Sequence, residues 1–355
     1  MLKHNTNHKN QLKDHLDYLV EVERCINNKK YHELMTFTNF SLCILINSNV
    51  MCPLLESDKK VIKHIFNNLL CTNFVSNDGW SLVHYLIIYL HDDKIFRYLV
   101  EKNKLDIGTP SKCGTQPLHF LCYGANDNAL DIIKYLMDRG IDLECENEYH
   151  RRPIHNACVD DKVDLVEFFI NHGVDLECET SDGRRPIHIA CQNNSIHAIK
   201  LLIDKGVDLQ CCDMTGNKPI HMACSRQNSH LLVKMLIDKK VDLECLTNVG
   251  NKPIHHACRY GSLETIKLLV ENGADIESIN GDGLKPIHLI CWYGDLSSIT
   301  YFLSITNIDL DTKINISAYD NPYEWGIEDF LLDNWHLDDK DIAALQNKYI
   351  HILKM

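Results

Sequence analysis

The sequence predicts an all-α solenoid, in which stacked helix-turn-helix units are joined by β-hairpin-like loops and closed by degenerate capping units. Three observations predict it. A short phrase built on Pro-Ile-His returns every 33 to 36 residues. An apolar run at helical spacing follows each phrase and in most copies ends at a glycine. Both ends of the chain carry helical patterns without the phrase, as a stack needs where its apolar faces would otherwise meet water.

The phrase reads QPLHFLC, RPIHNAC, RPIHIAC, KPIHMAC, KPIHHAC and KPIHLIC. Its histidines are His119, His155, His188, His221, His255 and His288, with separations of 36, 33, 33, 34 and 33. A decayed copy, WSLVHYL, places His84 another 35 residues upstream. Each proline suits the first position of a helix, where its missing N–H would have had no partner. Three residues before it stands Gly114, Gly183, Gly216, Gly250 or Gly283.

The second helix of each unit follows. Leu165, Phe168 and Phe169 recur with their equivalents at helical spacing, so one face is apolar. Gly140, Gly173, Gly206 and Gly273 close these runs, as suits the left-handed position after a helix end. An aspartate follows two residues later (Asp142, Asp175, Asp208, Asp275). One unit cannot bury such a face alone, so neighbours must stack.

The domain reading follows the period. Residues 1–38 form an N-terminal helical segment, with one amphipathic helix over Gln11 to Asn27. Residues 39–74 form a degenerate capping repeat, and residues 75–311 the repeat domain of about seven units. Residues 312–355 hold a decayed repeat from Pro322 and a final helix from Asp338 to Leu353.

Composition sets the outer limits. The 355 residues are 45% apolar and 24% charged, which is globular usage. Against 36 basic residues stand 49 acidic ones, a net charge of -13, which argues against nucleic acid as a partner. The first residues, MLKHNTNHKNQLKDHLDYL, lack the apolar core of a secretion signal, and no stretch is apolar enough to span a bilayer. A cytoplasmic chain is expected.

The residues that could carry chemistry fall into the repeat. His155 and Cys158 lie three apart on a helix, and the pair recurs in every clear unit. A closed zinc site needs four converging ligands, and each unit offers two. The histidines and thiols therefore read as packing positions, with no metal and no cofactor. Ten of the 16 cysteines occupy two slots: Cys122, Cys158, Cys191, Cys224, Cys258 and Cys291 in the first helix, and Cys145, Cys178, Cys211 and Cys245 in the loop. No phosphate loop, nucleophile elbow or metal-binding His-Glu motif is present, so the chain reads as no enzyme.

The phrase, the period and the Gly-Val-Asp or Gly-Ala-Asp loop resemble the ankyrin repeat, over about two thirds of the chain from Val75 to Asp311. The resemblance implies a module that binds a protein partner through hairpin tips and the inner face of the first helices. It also exposes departures. The family places threonine before the proline, where it caps the helix and partners the histidine. This chain has Gln116, Arg152, Arg185, Lys218, Lys252 and Lys285 there, and a basic side chain cannot accept the capping bond. Capping of the first helix is thus in question. His150 and Lys240 replace turn and closing glycines, which predicts local strain at both.

The basic residues before the prolines form one column, and Asp142, Glu144, Asp175, Glu177, Asp242, Glu244, Asp275 and Glu277 form another. Facing columns would neutralise each other, which is the favoured reading; a basic strip for an acidic partner is the other. Positions that vary between units fall on the face that the resemblance implies for binding. Interface hot spots favour Trp, Tyr and Arg, which singles out Arg226, Arg259, Tyr260, Trp292 and Tyr293. Trp292 and Tyr293 also suit packing against the decayed last repeat.

The reading is a non-catalytic, monomeric scaffold or adaptor for a protein partner. A substrate-recognition adaptor of a ubiquitin ligase and a structural role in a viral particle are the alternatives. The Lys-Pro-Ile-His-x-Ala-Cys spelling resembles the large ankyrin families of giant DNA viruses of amoebae. That resemblance implies a host protein as partner, in the host cell cytoplasm.

Overall fold

The computed structural model describes residues 59–67, 75–76, 78–90, 92–123, 128–260, 262–305, 313–314 and 325–326. The segment 1–38, most of the capping unit 39–74 and the helix read from Asp338 lie outside the described residues. Two compact units divide at Asp175 and Leu176.

The first unit holds α1 (Lys59–Asn67) and three helix pairs. These are α2 (Leu82–Tyr89) with α3 (Asp93–Asn103), α4 (Pro117–Leu121) with α5 (Ala129–Met137), and α6 (Pro153–Ala157) with α7 (Val163–Asn171). The second unit holds α8 (Pro186–Asn193) with α9 (Ile196–Asp204), α10 (Pro219–Cys224) with α11 (His230–Asp238), α12 (Pro253–Tyr260) with α13 (Leu263–Glu271), and α14 (Pro286–Tyr293) with α15 (Leu296–Ile305). Within each unit, first helices pack on first helices: α2 on α4 on α6, and α8 on α10 on α12 on α14. Strand among the described residues is confined to β1 (Lys313–Ile314) paired antiparallel with β2 (Trp325–Gly326), plus a bridge between Val75 and Ser81. The hairpin-like loops are tight turns: the Gly183 N–H donates to the Thr180 carbonyl and the Thr180 N–H to the Arg184 carbonyl.

The core is periodic because the sequence is. Ile154, Ile187, Ile220, Ile254 and Ile287 fill one slot, and the six first-helix cysteines another, all at most 2% exposed. Burial pushes the loop thiols of Cys145 and Cys211 up to about 12 and that of Cys245 up to about 11. They are small apolar side chains with a proton held firmly in place.

The signature histidines answer the capping question. In all seven units the imidazole Nδ1 accepts the backbone N–H of the residue before the proline (before Leu82 in the decayed copy), at 2.9–3.2 Å. The cap is made by the third helical residue reaching back, and the basic residue supplies no acceptor. A nitrogen that accepts carries no proton, so the proton sits on Nε2. From there it is donated to a carbonyl beyond the second helix of the unit: Arg151 for His119 at 2.8 Å, Asn217 for His188 at 3.1 Å and Leu284 for His255 at 3.2 Å, each in the turn of the following unit, and Cys245 for His221 at 3.2 Å, in the loop leading to it. Each of these four rings thus ties a helix start to the segment that follows its own unit's second helix.

The charged columns form a second tie. Arg152 meets Glu144 at 3.1 Å and Glu146 at 2.9 Å, and Arg185 meets Glu177 at 2.6 Å and Glu179 at 3.0 Å. Lys252 bridges Glu244 and Asp275, and Lys285 meets Glu277 at 2.7 Å. Lys218 faces Gln210 instead and donates a hydrogen bond to it at 2.9 Å. The glutamates also reach forward. Glu144 accepts the Asp175 N–H, Glu177 that of Asp208 and Glu244 that of Asp275, at 2.7–2.9 Å.

Hairpin tips supply the third tie, a backbone bond between neighbours: Met214 N–H to Asp182, Asn248 to Thr215, and Gly281 to Val249. Glycine is needed where these tips press together. Gly216 has φ +77°, and a Cβ there would sit 2.6 Å from the Asn248 nitrogen. Gly206 has φ +79° but open space around it. His150 and Lys240, which replace glycines, do adopt φ of 51° and 59°.

Three predictions follow from these ties. Gly206→Ala lowers stability by about 1–2 kcal/mol, the left-handed penalty alone, whereas Gly216→Ala lowers it clearly further; equal losses in denaturant titrations would remove the close approach. Glu244→Ala costs more than Lys252→Met, because an exposed ion pair contributes ~0–1 kcal/mol while the glutamate also satisfies the Asp275 N–H; the reverse order in chemical unfolding would contradict the forward tie. The third concerns pH. Burial holds His221 and His288 down at about 4, and lowers His84, His119, His188 and His255 from 6.5. The unfolded chain therefore binds protons that the folded chain refuses. The contribution of these groups is intact above pH 6.5 and falls as pH drops toward about 4. A melting temperature that stays flat or rises from pH 7 to 5 would contradict it.

Candidate partner-binding face

The face is built in the second compact unit from α12, α14 and the tips preceding them. The slot after the signature cysteine points out of the core, and there the chain places Arg259, Tyr260, Trp292 and Tyr293. Together with the tip residues Asn251, Asn280 and Asp282 they line a cavity of about 320 Å³. That size suits side chains of a bound segment.

Arg259 is exposed and its guanidinium lies 5.0 Å from the ring centroids of both Tyr260 and Tyr293. The tyrosines are each 46% exposed. Trp292 stacks on Tyr293 at 5.8 Å and 23°. Among the described residues no carboxylate lies within ion-pair distance of Arg259, unlike Arg152, Arg185, Lys252 and Lys285. Two aromatic rings lie beside the guanidinium, and its N–H groups can donate to an acceptor on a partner.

The floor contains His256, which the sequence analysis did not single out. Ser225 Oγ donates to the His221 carbonyl at 2.9 Å, so it accepts from His256 Nδ1 at 2.9 Å. The lone pair is then on Nε2, which is buried without a hydrogen-bond partner. Burial, with His221, His255 and Arg259 nearby, pushes this imidazole down to about 3. The rim is fixed by Asn280, whose amide donates to Asn251 Oδ1 at 2.7 Å and whose Oδ1 accepts the N–H groups of Asp282 and Leu284. Asp282 stands exposed on this rim.

Four of the five partner-binding candidates are thus brought together. Arg226 is not among the lining residues; its Nε donates to the Gln192 carbonyl at 2.5 Å. The signature histidines are committed at both nitrogens in His84, His119, His188, His221 and His255. Among the described residues no group of three or more His, Cys, Asp or Glu is placed to hold a metal ion. No described helix is long and apolar enough to cross a membrane.

A family model for ankyrin repeats matches three times, over residues 121–213, 199–280 and 220–316. Together these span residues 121–316, more than half of the chain, and the protein belongs to the ankyrin-repeat family. Its fold is an all-α ankyrin solenoid, and such repeats are generally protein–protein interaction modules. Comparison with curated proteins finds no match.

Proposed function

We propose that the chain is a non-catalytic adaptor that captures a protein partner on the face formed by Arg259, Tyr260, Trp292 and Tyr293. One observation carries this reading: an arginine clamped between two exposed tyrosines and unpaired beside a cavity, in a molecule whose comparable column of basic residues is otherwise engaged. Desolvated arginine and aromatic side chains around a concavity supply the anchors of a binding hot spot. The spelling of the repeat supports an origin among giant viruses of amoebae, with a host cytoplasmic protein as the partner and the chain acting as a monomer.

The test is quantitative capture. Partners retained from host-cell extract by the full chain are compared with those retained by Trp292→Ala and Tyr260→Ala. Both variants are expected to fold, because Tyr260 is half exposed and Trp292 is only partly buried. Loss of the same partner by about tenfold or more in each supports the face, in line with hot-spot truncation. Undiminished capture by both variants removes it.

A further inference from the structure

The charge on the cavity is divided, and this goes to what kind of partner it accepts. One lining residue is Arg259, whose guanidinium has no ion-pair partner among the described residues. On the rim formed by the preceding tip stands Asp282, whose carboxylate has no ion-pair or hydrogen-bond partner among the described residues. The two do not form an ion pair with each other, although they line the same cavity. The same cavity is lined by Leu289, 5% exposed, the half-buried Trp292 and His256. No other arginine or lysine lines the cavity.

Resting on the reading of this face as the partner-binding face, we infer that the cavity takes an extended segment of a partner protein carrying both charges: an acidic side chain seated on Arg259, a basic side chain meeting Asp282, and an apolar side chain between them against Trp292 and Leu289. Charge complementarity selects this occupant. A purely acidic segment satisfies Arg259 and is repelled by Asp282. A purely basic one reverses the problem, with like charges opposed across the interface. A nucleic acid strand would find stacking rings, but it would find one lining cation and a rim carboxylate on a chain of net charge -13, where phosphate recognition needs several cations. The register of the bound segment is fixed because its two charges are not interchangeable.

The test uses a random peptide library displayed on phage and selected on the purified full chain, with single-stranded oligouridylate as a second probe. Arg259→Gln, Asp282→Asn and Trp292→Ala are run in parallel, each checked by circular dichroism for an unchanged fold. The expected result is enrichment of peptides with an acidic and a basic residue flanking an apolar one. A synthetic consensus peptide then loses affinity about tenfold or more on Arg259→Gln, as truncation of a charge pair does. Arg259→Glu recovers binding to the peptide whose acidic residue is exchanged for lysine. Peptides that bind, are lost on Trp292→Ala and show no charge pattern overturn this partner class while leaving the face in place. Peptides insensitive to all three substitutions overturn both. Tight oligouridylate binding that is abolished by Arg259→Gln also overturns the proposal, in favour of a nucleic acid.

Discussion

The structure depends on a neutral imidazole that faces two ways. Nδ1 satisfies an N–H at the start of a helix, and Nε2 gives its proton to a carbonyl of the next repeat. A turn of the ring breaks both bonds, and a gained proton breaks the Nδ1 bond, since a charged imidazole has no acceptor left. The ring is buried, so a lost partner would leave a polar group in an apolar place, which costs ~1–3 kcal/mol. This explains why a histidine recurs beside the proline in every unit, and why none of those with both nitrogens engaged is free to ligate.

Around that pivot the repeat uses elementary chemistry. Proline begins the helix, a thiol no larger than the gap fills the core, and a glutamate joins its own basic residue to the next backbone. The basic residues that stand where threonine is usual in the family fit this scheme. They give up a side-chain cap, which the histidine supplies, and Arg152, Arg185 and Lys252 gain a place between acidic neighbours. The resulting pairs are exposed and individually weak, so their value lies in neutralising columns that would otherwise repel.

Much of this was legible in the sequence because the period multiplies each signal. His119 to His288, the cysteine slots and the facing charge columns follow from seeing the same residue in the same place. The glycines that close the units were legible from chain geometry, and His150 and Lys240 do take the left-handed backbone that glycine would hold. The cap was misjudged because the residue at the cap position was weighed alone, whereas the acceptor came from the third residue of the helix. The proposed binding face was only half legible. Arg259, Tyr260, Trp292 and Tyr293 stood out as variable positions, but Arg226 turns to the Gln192 carbonyl, a direction no spacing reveals. His256 and Asp282 were missed because their meaning comes from what surrounds them. The one visible trace was a second histidine in KPIHHAC, where the other clear units have phenylalanine, asparagine, isoleucine, methionine or leucine.

The most direct measurement is nitrogen-detected NMR of the imidazoles in the intact chain, followed from pH 7.5 to 5. The account predicts that the signature histidines appear as the Nε2–H tautomer at pH 7.5, with His221 and His288 showing no titration near 6.5. Signature rings protonated on Nδ1, or titrating like free histidine, would contradict the two-way bond on which the stack is built.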